Sequence, residues 1–206
     1  MATLSDLRTT VARRLRDSSN TTWTTAELDD LINQAIDEIA DFYPREIVTT
    51  IGTVSAGVVS YAASSYTNIY RLDIYTSAGS YRTTFPHGIG GANSGWELHG
   101  GIVYLPPSYS YTAGDTLKAW GYGRYVQLAA STSTTDLDQS GIWALVSYCQ
   151  AEGLQQLVND RAKFQQWQSN TNNTDVTALA LAQLASAAQN RWRRQQQRLR
   201  RMRKGG

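Results

Sequence analysis

The sharpest pattern in the chain runs from Thr22 to Glu46. Leu28, Leu31, Ile32, Ala35, Ile36, Ile39, Phe42 and Tyr43 recur at steps of three and four residues, which places them on one stripe of an α-helix. Glu27, Asp29, Asp30, Asp37, Glu38 and Asp41 fall on the opposite face. Thr24 stands three residues before Glu27, the spacing of a capping box, in which hydroxyl and carboxylate each satisfy a free N–H group. Pro44 ends the helix, because the residue before a proline is driven out of the α region. Such a helix lies on other helices and turns acid outward.

The same periodicity predicts a first helix over residues 3–17. Leu4, Leu7, Val11 and Leu15 face inward, Thr3 and Asp6 form its cap, and Arg8, Arg13, Arg14 and Arg16 face outward. Ser18–Thr22 is a polar connection, and Trp23 packs back as a hydrophobic staple, so the two helices make a hairpin. From Ile47 the period changes to two. Strand character appears at 47–51, 57–61, 69–75, 80–84 and 116–126, with a tight hairpin over 96–105 turned at His99-Gly100-Gly101. Residues 129–135 are a linker. A third helix is predicted from a cap at Asp136 or Asp138 to about Trp167; it is apolar almost all round and hence the most buried. A fourth, capped by Asn173 or Thr174, carries the stripe Val176, Leu179, Ala180, Leu184, Ala188 and Trp192. Beyond Trp192 the stripe thins to Leu199 and Met202, so that end is expected to fray until it docks.

The expected organisation is a helical hairpin over 1–46, an inserted β subdomain over 47–128, helices completing the bundle over 129–190, and a basic docking tail over 191–206. The fold class is α+β: a four-helix bundle, two helices N-terminal and two C-terminal, with an inserted small antiparallel β subdomain.

Charge sharpens the picture of the tail. The net charge of +2 divides into a body of −6 and a stretch from Arg191 onward of +8. Arg191, Arg193, Arg194, Arg198, Arg200, Arg201, Arg203 and Lys204 carry that charge, and Trp192, Leu199 and Met202 are interleaved as apolar anchors. A segment of this kind suits an acidic partner, either a protein groove or nucleic acid. The 206 residues are enough for one sizeable core. There is no apolar run long enough for a membrane span, and no secretory leader is expected.

Candidate chemistry is sparse. A single cysteine, Cys149, excludes an internal disulfide and a cysteine zinc cluster, and its place on an apolar helix face makes it a buried, inert thiol. His87 and His99 stand in glycine-rich surroundings without partners at metal-ligand spacing. The glycine-rich run 88–95 lacks the Lys-Ser/Thr ending of a phosphate loop and reads as a flexible loop. No catalytic residue, metal ligand or cofactor site is expected.

One stretch carries a resemblance. Trp23-Thr24-Thr25-Ala26-Glu27-Leu28-Asp29-Asp30-Leu31-Ile32-Asn33-Gln34-Ala35, closed by Phe42-Tyr43-Pro44, resembles the second helix of the head–tail connector (adaptor) proteins of tailed bacteriophages. The helices match over roughly half the chain, and the β insert departs from the smallest, all-helical adaptors. The resemblance implies a non-enzymatic structural protein of the virion neck, assembled in the host cytoplasm. It implies a ring of twelve copies docked below the portal protein, with genomic DNA passing through the centre and no membrane partner. The Arg191–Lys204 segment takes the portal-docking or DNA-facing role. Neighbouring copies pack through Asp30, Asp37 and Asp41 of the second helix and Arg8, Arg13 and Arg16 of the first, and the β subdomain faces the next tail component or the outside of the neck. Two other readings stand beside it: a nucleic-acid-binding protein using the Arg-rich terminal helix, and an enzyme or carbohydrate-binding module in the aromatic-rich β segment.

Overall fold

A computed structural model describes residues 2–85, 87, 95–106, 112–170 and 173–204; most of the glycine-rich run 88–95 lies outside them. The chain divides into two compact units, Met1–Tyr43 with Tyr125–Gly206, and Pro44–Arg124. The first is helical and the second is built of strands.

The helical unit begins with α1 (Leu4–Arg14) and α2 (Thr25–Phe42). Both start in reciprocal capping boxes. The Asp6 N–H donates to the Thr3 hydroxyl at 3.1 Å while the Thr3 N–H donates back to the Asp6 carboxylate at 3.1 Å. Glu27 and Thr24 repeat the arrangement at 3.2 and 2.7 Å. Each box closes orphan donors of a first turn and sets where the helix begins. Between the helices, the chain reverses around Asp17. Its carboxylate is buried and accepts the N–H groups of Thr21, Thr22 and Trp23 at 3.0, 2.8 and 2.9 Å, and the Thr21 hydroxyl at 2.8 Å. Trp23 is buried, and its indole N–H donates to Gln156 at 3.1 Å.

The four-helix description fails here, because the C-terminal part of this unit contains three helices. α3 (Gln139–Asn159) is capped by Asp138, which accepts the Gly141 N–H at 2.7 Å. It does not run on to Trp167. At Asp160 the backbone leaves the helix with φ −119° and ψ 102°, and α4 (Arg161–Asn170) follows. The cause is local: the Asp160 carboxylate accepts the Lys163 N–H at 3.0 Å, and short acidic side chains that bond a nearby N–H favour caps over helix interiors. The new direction buries Trp167 completely and lets its indole N–H donate to the Leu15 carbonyl at 2.9 Å. α3 is the central element. Buried residues occur around most of its circumference, and at Gly153 a Cβ would come within 2.6 Å of the Leu15 side chain, which would have to shift to admit a larger residue.

α5 spans Ala178–Lys204, about 40 Å at the usual rise per residue. Thr177, rather than Asn173 or Thr174, accepts the first-turn N–H of Ala180 at 3.2 Å. The buried stripe is Leu181, Ala185, Ala188, Trp192 and Leu199, whereas Leu179 and Leu184 are exposed. The apolar positions of the first turns fit two phases about equally well in sequence, and the packing selects the one that continues into Trp192 and Leu199.

In the second unit the strands are β1 (Arg45–Thr53), β2 (Ser60–Ala62), β3 (Asn68–Tyr75), β4 (Tyr81–Phe85), β5 (Glu97–His99), β6 (Ile102–Tyr104) and β7 (Thr116–Gly123). They form two antiparallel sheets, ordered β1-β7-β3-β4 and β2-β6-β5. β1 and β7, first and last in sequence, pair with Arg45 opposite Gly123. The unit therefore begins and ends side by side, which is the condition for inserting it into a loop of another fold. The β5–β6 hairpin turns on Gly100 and Gly101, both at positive φ (59° and 76°), the backbone that a two-residue turn demands. A separate core of Val54, Tyr61, Tyr66, Ile69, Leu72, Ile74, Phe85, Trp96, Val103 and Leu117 holds this unit.

Candidate functional site

Two charged faces of the helical unit are its distinguishing surfaces, and α5 makes the larger. Its inner side is closed. Trp192 meets the Phe42 ring edge-on at 5.7 Å and the Tyr148 ring at 5.2 Å. Leu199, two turns further, is completely buried in the same core. The Arg200 guanidinium lies over Phe42 at 5.5 Å from the ring centre, a cation–π contact. The expectation that the end frays for lack of burial is thereby corrected: α2 and α3 supply the missing apolar partners. Trp192 and Leu199 consequently leave the set of docking anchors, because both are used in the protein's own core. Met202 remains exposed.

The outer side of α5 is cationic. Arg191, Arg193, Arg194, Arg198, Arg200 and Arg201 are all exposed. Arg191 donates to the Gln150 side chain at 2.9 Å, and Arg194 to the carbonyl of Asn190 at 3.3 Å. Among the described residues none of these six has a carboxylate partner. Like charges on successive turns repel one another, so this face gains free energy when an anion or carboxylate approaches. Arg203 and Lys204 continue the helix.

The second face belongs to α2. Asp30, Asp37 and Asp41 recur at steps of seven and four, with Gln34 between the first two, along the side opposite its buried stripe. Asp37 accepts the Gln127 amide at 2.8 Å. Beside Asp30 a groove of about 440 Å³ opens, lined also by Glu27, Gln34, Gln156, Asp160 and Lys163. Lys163 donates to Glu27 at 2.6 Å across it. Burial alone would raise the Glu27 carboxyl's pKa; the bonds from Lys163 and Thr24 outweigh this and hold it below the usual value.

Of the first-helix arginines, Arg8 is engaged within the chain. Its guanidinium grips both oxygens of Asp29, with 2.6 Å on the Nη2 side, and reaches Ser131 at 3.0 Å. The hydrogen bond to Asp29 raises its pKa further. Arg16 reaches Asn173 at 3.4 Å, and Arg13 is exposed. The structure thus brings Arg8 to Asp29, not to Asp30, Asp37 or Asp41. The partner of Arg191, Gln150, carries no sequence signal, since an isolated glutamine on a helix surface looks like any other.

Elsewhere the groups singled out in the sequence are structural. Cys149 is buried, and burial pushes its thiol well above the ordinary range. His87 is exposed and stands edge-on to Trp96 at 4.6 Å. Among the described residues no group of His, Cys, Asp or Glu is arranged to hold a metal ion, and no helix is long and apolar enough to cross a membrane. In the β unit, Trp96, Tyr61 and Tyr66 are core residues, while the Trp120 ring carries Arg71 and Lys118 at 5.3 and 5.2 Å.

The helical unit thus presents an arginine face on α5 and an acidic face on α2, both on helices packed into one closed core. The family model described as SU10 adaptor protein matches residues 2–203, and the chain belongs to that family of phage head–tail adaptors. No curated protein matches it. It is accordingly a structural adaptor of the phage virion, acting through contacts with other virion components.

Proposed function

We propose that the protein forms a ring of twelve copies at the neck, docks on the portal and connects head to tail, with the genome passing through the centre. The family match over residues 2–203 carries this reading, and the exposed arginine face of α5 supports it. The last turn of α5, with Arg200, Arg201, Met202, Arg203 and Lys204, meets the portal, where bidentate guanidinium–carboxylate bonds supply both strength and orientation. Neighbouring copies meet through the acidic side of α2 at Asp30, Asp37 and Asp41. The β unit faces the next component of the neck.

The portal contact is tested by deleting residues 201–206. Trp192 and Leu199 stay in place, so the shortened protein melts at the temperature of the full chain. Heads in phage carrying the deletion nevertheless fail to retain the adaptor and stay tailless. Normal attachment by the shortened protein contradicts the assignment. If isolated full-length protein instead binds duplex DNA with a steep loss of affinity in salt, α5 serves nucleic acid.

A further inference from the structure

We infer that the open face of the sheet β1-β7-β3-β4 receives a carboxylate side chain of the next neck component, held by Arg71 and Lys118. This rests on the reading above that the β unit faces that component, and it names the surface and the chemistry of the contact. Burial alternates along β7: Leu117, Ala119 and Gly121 turn into the core, and Lys118 and Trp120 stand on the other face. The register sets Val48 of β1 and Arg71 of β3 on either side of Trp120, and Asp73 beside Lys118. Asp73 is completely buried within this face. It accepts the Trp120 indole N–H at 3.0 Å, the Thr84 hydroxyl at 2.6 Å and the Arg71 Nε–H at 2.9 Å.

The two cations are fixed in advance. Asp73 and the Trp120 ring, 5.3 Å away, set the direction of the Arg71 guanidinium. Only its Nε is used; the side chain is 45% exposed, and both terminal nitrogens are without an acceptor among the described residues. Lys118 lies over the same indole at 5.2 Å and over Tyr75 at 5.5 Å, with no carboxylate at ion-pair distance among the described residues. Glu46, at the far end of the face, accepts the Tyr70 hydroxyl at 2.6 Å. Around Arg71 and Lys118 the surface therefore offers donors and positive charge, which select an anion. The rest of the face selects a protein. Val48, Tyr70 and Tyr81 are exposed, and Trp, Tyr and Arg are the side chains that anchor protein contacts. Duplex DNA is held through many phosphates and shows a protein its backbone and groove edges, not a flat apolar surface. A carboxylate set in an apolar patch meets both demands: it pairs with the two terminal nitrogens of Arg71, and its surroundings cover the tyrosines.

Removing the two charges tests the contact. In phage carrying the gene, Arg71→Gln/Lys118→Gln is expected to leave the adaptor on the heads and to lower the number of heads bearing the next component about 100-fold, since a carboxylate is then buried without its donors. Lys118→Gln alone is expected to lower it about tenfold, whereas Lys118→Arg, which keeps the charge, leaves it at the wild-type level. Melting of the purified variants checks that they fold. Should the double variant melt early, the two Lys118 substitutions decide, because that side chain makes no hydrogen bond that folding needs among the described residues. Wild-type attachment by the Gln variants overturns the contact, and so does equal loss from Lys118→Gln and Lys118→Arg. Duplex DNA binding by the purified wild-type chain that the Gln substitutions abolish, with attachment unchanged, assigns the face to nucleic acid and overturns the proposal. Cryo-electron micrographs of wild-type necks separate the contact from the reading beneath it. A β unit turned away from the next component overturns that reading and the contact with it. A β unit that faces the component with no carboxylate at Arg71 overturns the contact alone.

Discussion

Trp192→Ala is expected to destabilise the helical unit by about 3–5 kcal/mol, the cost of removing a large buried aromatic and leaving a cavity. The indole is 7% exposed and links three helices, meeting Phe42 at the end of α2 and Tyr148 in the middle of α3. Without it, Leu199 alone holds the last two turns, and the arginine face loses its fixed position. Urea unfolding of the full-length protein measures the effect. A change below about 1 kcal/mol, the range of ordinary surface substitutions, would mean that Trp192 is free for a partner and does not close its own core.

Asp17→Ala is expected to cost about 3–5 kcal/mol, because a buried carboxylate with four donors is lost while the donors remain. Three of them are backbone N–H groups of Thr21, Thr22 and Trp23. Thr22 and Trp23 are buried, so water does not replace the acceptor there. Asp17→Asn keeps one acceptor oxygen and is expected to cost roughly half as much. Thermal melting of the three proteins gives the order wild type, Asn, Ala. Equal melting temperatures would contradict the role of Asp17 in holding the reversal between α1 and α2.

Much of this was legible in the chain. Both N-terminal helices and their caps follow from local chemistry: Thr3 with Asp6 and Thr24 with Glu27 need only each other and the adjacent turn. The hairpin at Gly100-Gly101 is local in the same sense. What failed depended on distant partners. A helix running to Trp167 reads well until Asp160 caps the next turn, and the break is rewarded by the Trp167 bond to Leu15, 152 residues away in sequence. The strand order β1-β7-β3-β4 joins segments some 70 residues apart, which alternation along each strand does not encode. The phase of α5 is a third case. Leu179 and Leu184 look as apolar as Leu181, and only the positions of Phe42 and Tyr148 decide which face turns inward. The same omission made the Arg-rich end look unsupported. Its charge was plain from composition, whereas its burial depended on two other helices. At the candidate site, the arginines and the acids were visible individually, and the engagement of Arg8 by Asp29 was not.

α5 therefore has two sides with separate tasks: one completes the core, and the other presents guanidinium groups already in place. A surface folded beforehand avoids the ordering cost that a disordered tail meets on binding. Amide hydrogen exchange of the isolated, full-length protein tests this most directly. The account predicts that amides from Ala188 to Leu199 exchange as slowly as those in the middle of α3. Exchange at the rate of an unfolded peptide over those residues would contradict it, and would return the segment to one that folds only on its partner.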